Sequence, residues 1–252
     1  MPPVTVPPTT VPPATVPTDA TVPPAAPVPP ATPPATEAAP ATIQDILLVG
    51  DSIMKSTGPA LDRQLGSRYR VHNEGQNGSG LLTPQVFNWP AHLQSSLRRF
   101  DPDVVVMLMI GNYTDVRSQL WSTPQGVRIP DVYAPAFARE WGLQADRMVT
   151  TMIRSGAEVV LVLPPPMISP RVQTVTDRLR AEYRAVAARH PEVTLVDATT
   201  AVGGRNGEWV PTKPTANGGS AFVRTADTVH LAAHGQDLVA REVRLGIGRA
   251  RS

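Results

Sequence analysis

The stretch "ILLVGDSIMK", residues 46–55, decides how the chain is read. Four apolar residues, Ile46–Val49, run without a polar interruption into Gly50-Asp51-Ser52. A strand that faces water on one side alternates polar and apolar residues; an unbroken apolar run suits a strand covered on both faces. Beyond the glycine come an acid and a hydroxyl. That fits an ordinary turn, and it equally fits a nucleophile carried to the edge of a sheet.

Working outward, the same kind of signal recurs. "YRVHN" (69–73) is a shorter strand, and "DVVVMLMI" (103–110) is an apolar run rich in Val. "AEVVLVL" (157–163) and "VTLVDA" (193–198) come next. Helical patterns separate them. Ser56-Thr57 with Pro59 reads as a start and Gly66 as a stop, predicting a helix over 58–65. Further helices are expected over 91–99 after Pro90, over 135–154, over 174–189 up to Pro191, and from Ala233 to Leu245. Strands alternating with helices predict an α/β domain in three layers, α/β/α, around a parallel sheet of about five strands. In such sheets a ligand sits beyond the carboxyl ends of the strands, where the strand order reverses. Three polar or glycine-rich segments fall at such ends: Gly50–Ser52, Asn73–Gly80 and Gly111–Asp115. Two long stretches without a clear pattern, 113–133 and 199–226, are read as functional loops.

The first 40 residues differ from the rest. They hold 15 of the 29 prolines, carry only Asp19 and Glu37 as charges, and contain no aromatic residue. Such a segment has too little apolar surface to bury and is expected to be extended, with polyproline II character. The domain division expected is therefore a disordered Pro/Thr/Ala-rich linker over 1–41 and a catalytic domain over 42–252. Without the two acids of the tail the remainder carries 23 − 19 = +4, spread with no basic run longer than Arg98-Arg99. That argues against a nucleic-acid partner. There are no cysteines, so no disulfide contributes. The longest apolar run, "VVVMLMI" (104–110), is far short of the roughly 18 residues of a transmembrane helix. The first residues also lack the basic start and apolar stretch of a signal peptide. The tail resembles the Pro/Thr/Ala tethers of actinobacterial exported and wall-associated proteins. This resemblance implies an extracytoplasmic protein, secreted or tethered to the wall or membrane.

Four segments carry residues able to do chemistry. Ser52 comes after a buried strand and before a helix, whose N-terminal N–H groups favour negative charge. Asp227 and His230, in "RTADTVHLAAHG" (224–235), are spaced so that a tight turn lets the carboxylate orient the ring. "HNEGQNGSG" (72–80) can bring backbone N–H groups to a concavity, and it has neither the register of a P-loop nor that of a dinucleotide-binding loop. "IGNYTD" (110–115) puts Asn112 at the end of the Val-rich strand, where an amide can donate to an oxyanion. Each segment alone also reads as an ordinary turn or cap.

Taken together and in this order, they resemble the SGNH-hydrolase family of GDSL-like esterases and acyltransferases. "VGDSIM" is similar to the family's first block, with Ser52 in the place of the nucleophile. "NEGQNGSG" is similar to the second, putting Gly78 in the oxyanion hole, and "IGNYTD" to the third. "DTVHLAAHG" is similar to the last, with Asp227 and His230 completing a triad. The resemblance spans roughly residues 45–245 and implies a flavodoxin-like fold, no metal and no cofactor. It implies a serine esterase acting on O-acyl esters, of carbohydrates or of small alcohols, through an acyl-enzyme. Two alternatives stay open: an extracytoplasmic O-acyltransferase acting on cell-wall glycans, and a catalytically silent glycan-binding module.

The third block departs from the family pattern. The family places one residue between its Gly and Asn, whereas Asn112 directly follows Gly111 and the expected position holds Tyr113. The oxyanion hole is thus read as the Ser52 and Gly78 N–H groups with Asn112, or with Tyr113 in its stead. Asp51 is expected to brace the turn through nearby backbone or the His230 loop. Tyr113, Trp121, Tyr133 and Trp209 are the candidate substrate-loop aromatics, for stacking on sugars or for anchoring the loops. Trp89 and Trp141 are read as packing residues, and His72, His92 and His190 as packing or surface residues.

Overall fold

The computed structural model describes residues 43–111, 113, 121–129 and 131–249, all within the unit Ala41–Ser252. Five strands form one parallel sheet: β1 (Gln44–Gly50), β2 (Tyr69–Asn73), β3 (Val104–Leu108), β4 (Glu158–Val162) and β5 (Thr194–Val196). Their order is β2-β1-β3-β4-β5. Register runs from Leu47 beside His72 on one side of β1 to Leu47 beside Val105 on the other.

Both faces are covered. On one side α1 (Ser52–Leu65) packs against α6 (Ala233–Arg249); on the other α2 (Trp89–Phe100), α3 (Pro135–Arg154) and α4 (Pro170–Arg189) pack in series. This double cover is why β3 reads as Val104-Val105-Val106-Met107-Leu108 with every side chain buried. Each such side chain contributes about 1.5–3 kcal/mol when fully buried. The edge strand β2 is covered less completely, with Arg70 and Asn73 exposed. The expected three-layer α/β/α fold is the one found. Trp89 and Trp141 are fully buried, as read.

Helix α1 begins six residues before the expected start. The N-cap is Asp51, whose Oδ1 accepts from the Ile53 N–H at 2.9 Å. Pro59 lies inside the helix, not at its first turn. An interior proline cannot donate to the carbonyl four residues back, here that of Lys55. Asn73 replaces that donor: its side-chain amide donates to the Lys55 carbonyl at 2.9 Å. Gly58 leaves room for it, since a Cβ there would meet Asn73 Nδ2 at 2.1 Å. A contact between α1 and the end of β2 thus stabilises the helix through its proline. Helices α4 and α6 also extend beyond the expected limits, by one turn at the start and one at the end.

The stretch 199–226 is less irregular than expected. It holds a short helix α5 (Thr199–Val202) and a hairpin of β6 (Thr212–Pro214) with β7 (Ser220–Phe222). The β1–β3 boundary, where the strand order reverses, puts Gly50–Ser52 beside Ile110 and Gly111. This is the crevice in which such folds bind ligands.

Candidate active site

Ser52 is the first residue of α1, at a position whose backbone N–H has no intrahelical acceptor. Asp51, immediately before it, is 3% exposed and uses both carboxylate oxygens on backbone. Oδ1 caps α1, and Oδ2 accepts from the N–H groups of Ile110 and Gly111, both at 2.8 Å. The bracing therefore runs to backbone and joins the ends of β1 and β3. Burial pushes the Asp51 carboxyl above the usual carboxylate range, and the N–H groups of Gly111, Ile110 and Ile53 only partly oppose it. The end of β3 is held from the other side by Tyr183 of α4. Its hydroxyl donates to the Met109 carbonyl at 3.1 Å and accepts from the Met109 N–H at 2.8 Å.

His230 comes from the turn before α6. Its Nε2 lies 2.8 Å from Ser52 Oγ, across 178 residues of sequence, and its Nδ1 lies 2.6 Å from Asp227 Oδ2. An ionised carboxylate only accepts, so Nδ1 carries the proton and Nε2 is left to accept from the serine hydroxyl. Asp227 Oδ1 also accepts from Thr225 Oγ1 at 2.7 Å and from the Val229 and His230 N–H groups at 2.9 Å. Burial works to raise the Asp227 carboxyl. The donors from Thr225, the His230 ring, and the His230 and Val229 backbone outweigh it and hold the carboxyl well below the usual range.

The Asp227–His230 turn is braced by Thr228 and Arg224, which sequence reasoning passed over, and by Trp209, which it read as a substrate-loop aromatic. Thr228 adopts φ +64, a left-handed conformation that costs a β-branched residue about 1–3 kcal/mol. Its carbonyl accepts from Trp209 Nε1 at 3.2 Å, and its hydroxyl donates to the Asp227 carbonyl at 2.6 Å. Arg224, 4% exposed, donates Nη1 to the Val229 carbonyl at 3.1 Å and Nη2 to the Pro166 carbonyl at 2.6 Å. One guanidinium thus links the His230 turn to the loop after β4. Burial, and the cation of Arg180 next to it, push Arg224 down to about 10, so it remains a cation at neutral pH. An arginine in a loop looks solvent-exposed from sequence, and no local pattern marks it otherwise.

The second glycine-rich segment approaches Ser52 because it continues the pairing of β1. The Glu74 N–H donates to the Leu48 carbonyl at 3.1 Å, and the Gln76 N–H to the Gly50 carbonyl at 2.8 Å. A turn over Gln76–Ser79 then puts Gly78 at φ +72, a conformation suited to glycine. Gly78, Asn77, Lys55 and Ser56 line a hollow with Ser52 and His230. Trp89 anchors this segment through a 3.1 Å hydrogen bond from Nε1 to Ser79 Oγ.

Asn112 lies outside the described residues. Tyr113 is buried, packs edge-on against Phe137, and its hydroxyl accepts from the Leu82 N–H at 3.3 Å. Burial pushes its phenol well above the usual value. Trp121 is 2% exposed and also packs on Phe137. Both anchor their loop, one of the two roles read for them. Trp209 is half-buried and committed to Thr228. Tyr133 is half-buried, lines the hollow beside Ser52, and its carbonyl accepts from Arg178. Among the described residues no three His, Cys, Asp or Glu side chains gather at metal-binding range, and no helix is long and apolar enough to cross a membrane.

A serine hydroxyl bonded to a ring whose other nitrogen meets a carboxylate can lose its proton to that ring as it attacks a carbonyl. Comparison with known proteins gives three kinds of result. A family described as "protein of unknown function (DUF459)" matches residues 45–245. No curated protein matches the sequence. Solved structures share the fold at low identity. A GDSL-like lipase from Bacteroides thetaiotaomicron is 16% identical with a TM-score of 0.56, covering 82% of this chain and 89% of its own. An α/β hydrolase enzyme from the metagenome of Lake Arreo is 20% identical with a TM-score of 0.57, covering 84% and 98%. An acetylxylan esterase from Geobacillus stearothermophilus, as a catalytic mutant, is 14% identical with a TM-score of 0.55, covering 82% and 95%. The fold is that of the SGNH hydrolases.

Proposed function

The chain belongs to the DUF459 family, and from that premise we propose that it is a serine ester hydrolase acting on O-acyl esters through an acyl-enzyme. The observation that carries the reading is the pair of contacts on one imidazole: His230 Nε2 at 2.8 Å from Ser52 Oγ and Nδ1 at 2.6 Å from Asp227 Oδ2. Ser52 Oγ attacks the ester carbonyl while His230 takes its proton. Asp227 fixes the tautomer and stabilises the imidazolium that forms. The carbonyl oxygen becomes an oxyanion at the N-terminus of α1, where the Ser52 and Gly78 N–H groups and the Asn112 amide serve as donors. His230 returns its proton to the leaving alcohol, and a water attacks the acyl-enzyme by the same route in reverse.

The GDSL-like lipase and acetylxylan esterase names of two structural relatives lend this reading support. In this reading residues 1–41 are an extended linker, and the enzyme works outside the cytoplasm; both points rest on the composition of the tail. The test is turnover of p-nitrophenyl esters by the wild type, Ser52→Ala and His230→Ala. The reading expects turnover in the first and losses of about 10³-fold or more in the others. Transfer to added sugar acceptors in preference to water would reassign the enzyme as an acyltransferase. Absence of turnover with retained glycan binding would reassign it as a binding module.

A further inference from the structure

Two hollows open beside the Ser52 hydroxyl, and different residues line them. One is lined by Lys55, Ser56, Asn77 and Gly78, side chains and backbone able to hydrogen-bond. The other is a cavity of about 110 Å³ whose walls are Ile53, Ile110, Met167, Val172, Val175 and Val229. Polar residues border the second cavity too: Ser52 and His230 as the reacting pair, Tyr133 beside them, and Asp51, Gly111 and Tyr113, whose polar atoms take part in other bonds. Both Asp51 oxygens accept from backbone, the Gly111 N–H donates to Asp51, and the Tyr113 hydroxyl accepts from Leu82. A bound group therefore meets a mostly apolar surface there. Val229 extends that surface to the rim: it is 40% exposed, one of few large apolar side chains left so open, and it is the neighbour of His230. Met167 reaches the opposite wall because Pro164-Pro165-Pro166 leads the chain rigidly from the end of β4.

We propose that this cavity is the acyl site and that it selects a linear acyl chain of about four carbons, with the alcohol leaving on the side of Lys55 and Asn77. The inference rests on the serine-ester reading above. Its size argument is direct: a cavity of about 150 Å³ takes a six-carbon benzene ring, so about 110 Å³ takes about four carbons. Its polarity argument is equally simple. Each methylene moved from water into the cavity favours the transition state by about fourfold, so butanoyl should exceed acetyl by about tenfold or more. An eight-carbon chain does not fit and gains nothing further.

The experiment measures kcat/KM for p-nitrophenyl acetate, butanoate and octanoate. The proteins are the wild type, Val175→Phe and Val172→Phe, each with its unfolding transition recorded. Val172 is half-buried and tolerates a larger side chain more readily than buried Val175. The expected result is a wild-type optimum at butanoate, with the butanoate-to-acetate ratio falling about tenfold in a folded variant. An acetate optimum, octanoate turned over as well as butanoate, or an unchanged ratio in a folded variant would overturn the acyl-site assignment while leaving the esterase reading intact. Failure of the wild type to turn over any of the esters would overturn the esterase reading itself, and the acyl site with it.

Discussion

Asp51 Oδ2 accepts the Gly111 N–H at 2.8 Å, joining the residue before Ser52 to the end of the neighbouring strand. The same oxygen takes the Ile110 N–H, so the carboxylate satisfies three backbone donors in all. An amide in its place offers one oxygen and presents an NH₂ to donors. Asp51→Asn should therefore leave at least one buried N–H unpaired, at about 1–3 kcal/mol of stability. It should also lower kcat more than it raises KM, because the start of α1 moves relative to His230. Denaturant unfolding and steady-state kinetics check both parts. An Asn variant as stable and as fast as the wild type would show that the brace is dispensable.

Asp227 gives a pH dependence whose sign is set by its lowered pKa. A depressed folded-state pKa stabilises the fold above the unfolded value of about 3.9, and the stabilisation is lost as pH falls through the folded value. The melting temperature of Asp227→Asn should thus lie below that of the wild type near neutrality, with the gap narrowing below about pH 4. Because its lowered pKa keeps Asp227 ionised through mildly acidic pH, the acid limb of activity should follow one ionisation. A two-proton acid limb, or a stability gap constant with pH, would contradict this assignment of charge.

How much of this was legible beforehand differs from element to element. The strands were readable because a doubly covered sheet demands unbroken apolar runs, as in Val104–Leu108. The start of α1 was not, because Pro59 carries the same local signal at a helix start as inside a helix. Only the long-range amide of Asn73 makes the interior position tolerable. Ser52, Asp227 and His230 stood out through spacing and order, and His230 lies within hydrogen-bond range of the other two. Arg224 did not stand out, and Trp209 stood out only as a loop aromatic, since their importance comes from the carbonyls they meet, those of Val229, Pro166 and Thr228. Nothing in neighbouring residues encodes such partners. For Trp121 stacking and anchoring both stayed open for the related reason that an aromatic residue in a polar stretch does not reveal which way it faces; it is buried.

Arg224 should behave as a positioning residue. Arg224→Met removes the donors to Val229 and Pro166 and should lower kcat by about tenfold or more with KM little changed. Arg224→Lys can serve one carbonyl and should recover part of the loss. A purely structural role would lower the melting temperature without this split between kcat and KM or the partial rescue by lysine.

The tail should be dispensable for folding. A chain beginning near Thr42 should keep the thermal transition of the full chain, because residues 1–40 offer no aromatic side chain to dock. A fall of several degrees on truncation would contradict the linker assignment.

The central claim is that Ser52 forms the acyl-enzyme. The most direct measurement is mass spectrometry of the protein quenched in acid during turnover of p-nitrophenyl butanoate, with peptide mapping of the product. The account predicts a mass increase of one butanoyl group on the peptide containing Ser52, absent from Ser52→Ala and from peptides elsewhere in the chain. An acyl group on any other residue, or equal turnover by Ser52→Ala, would contradict it.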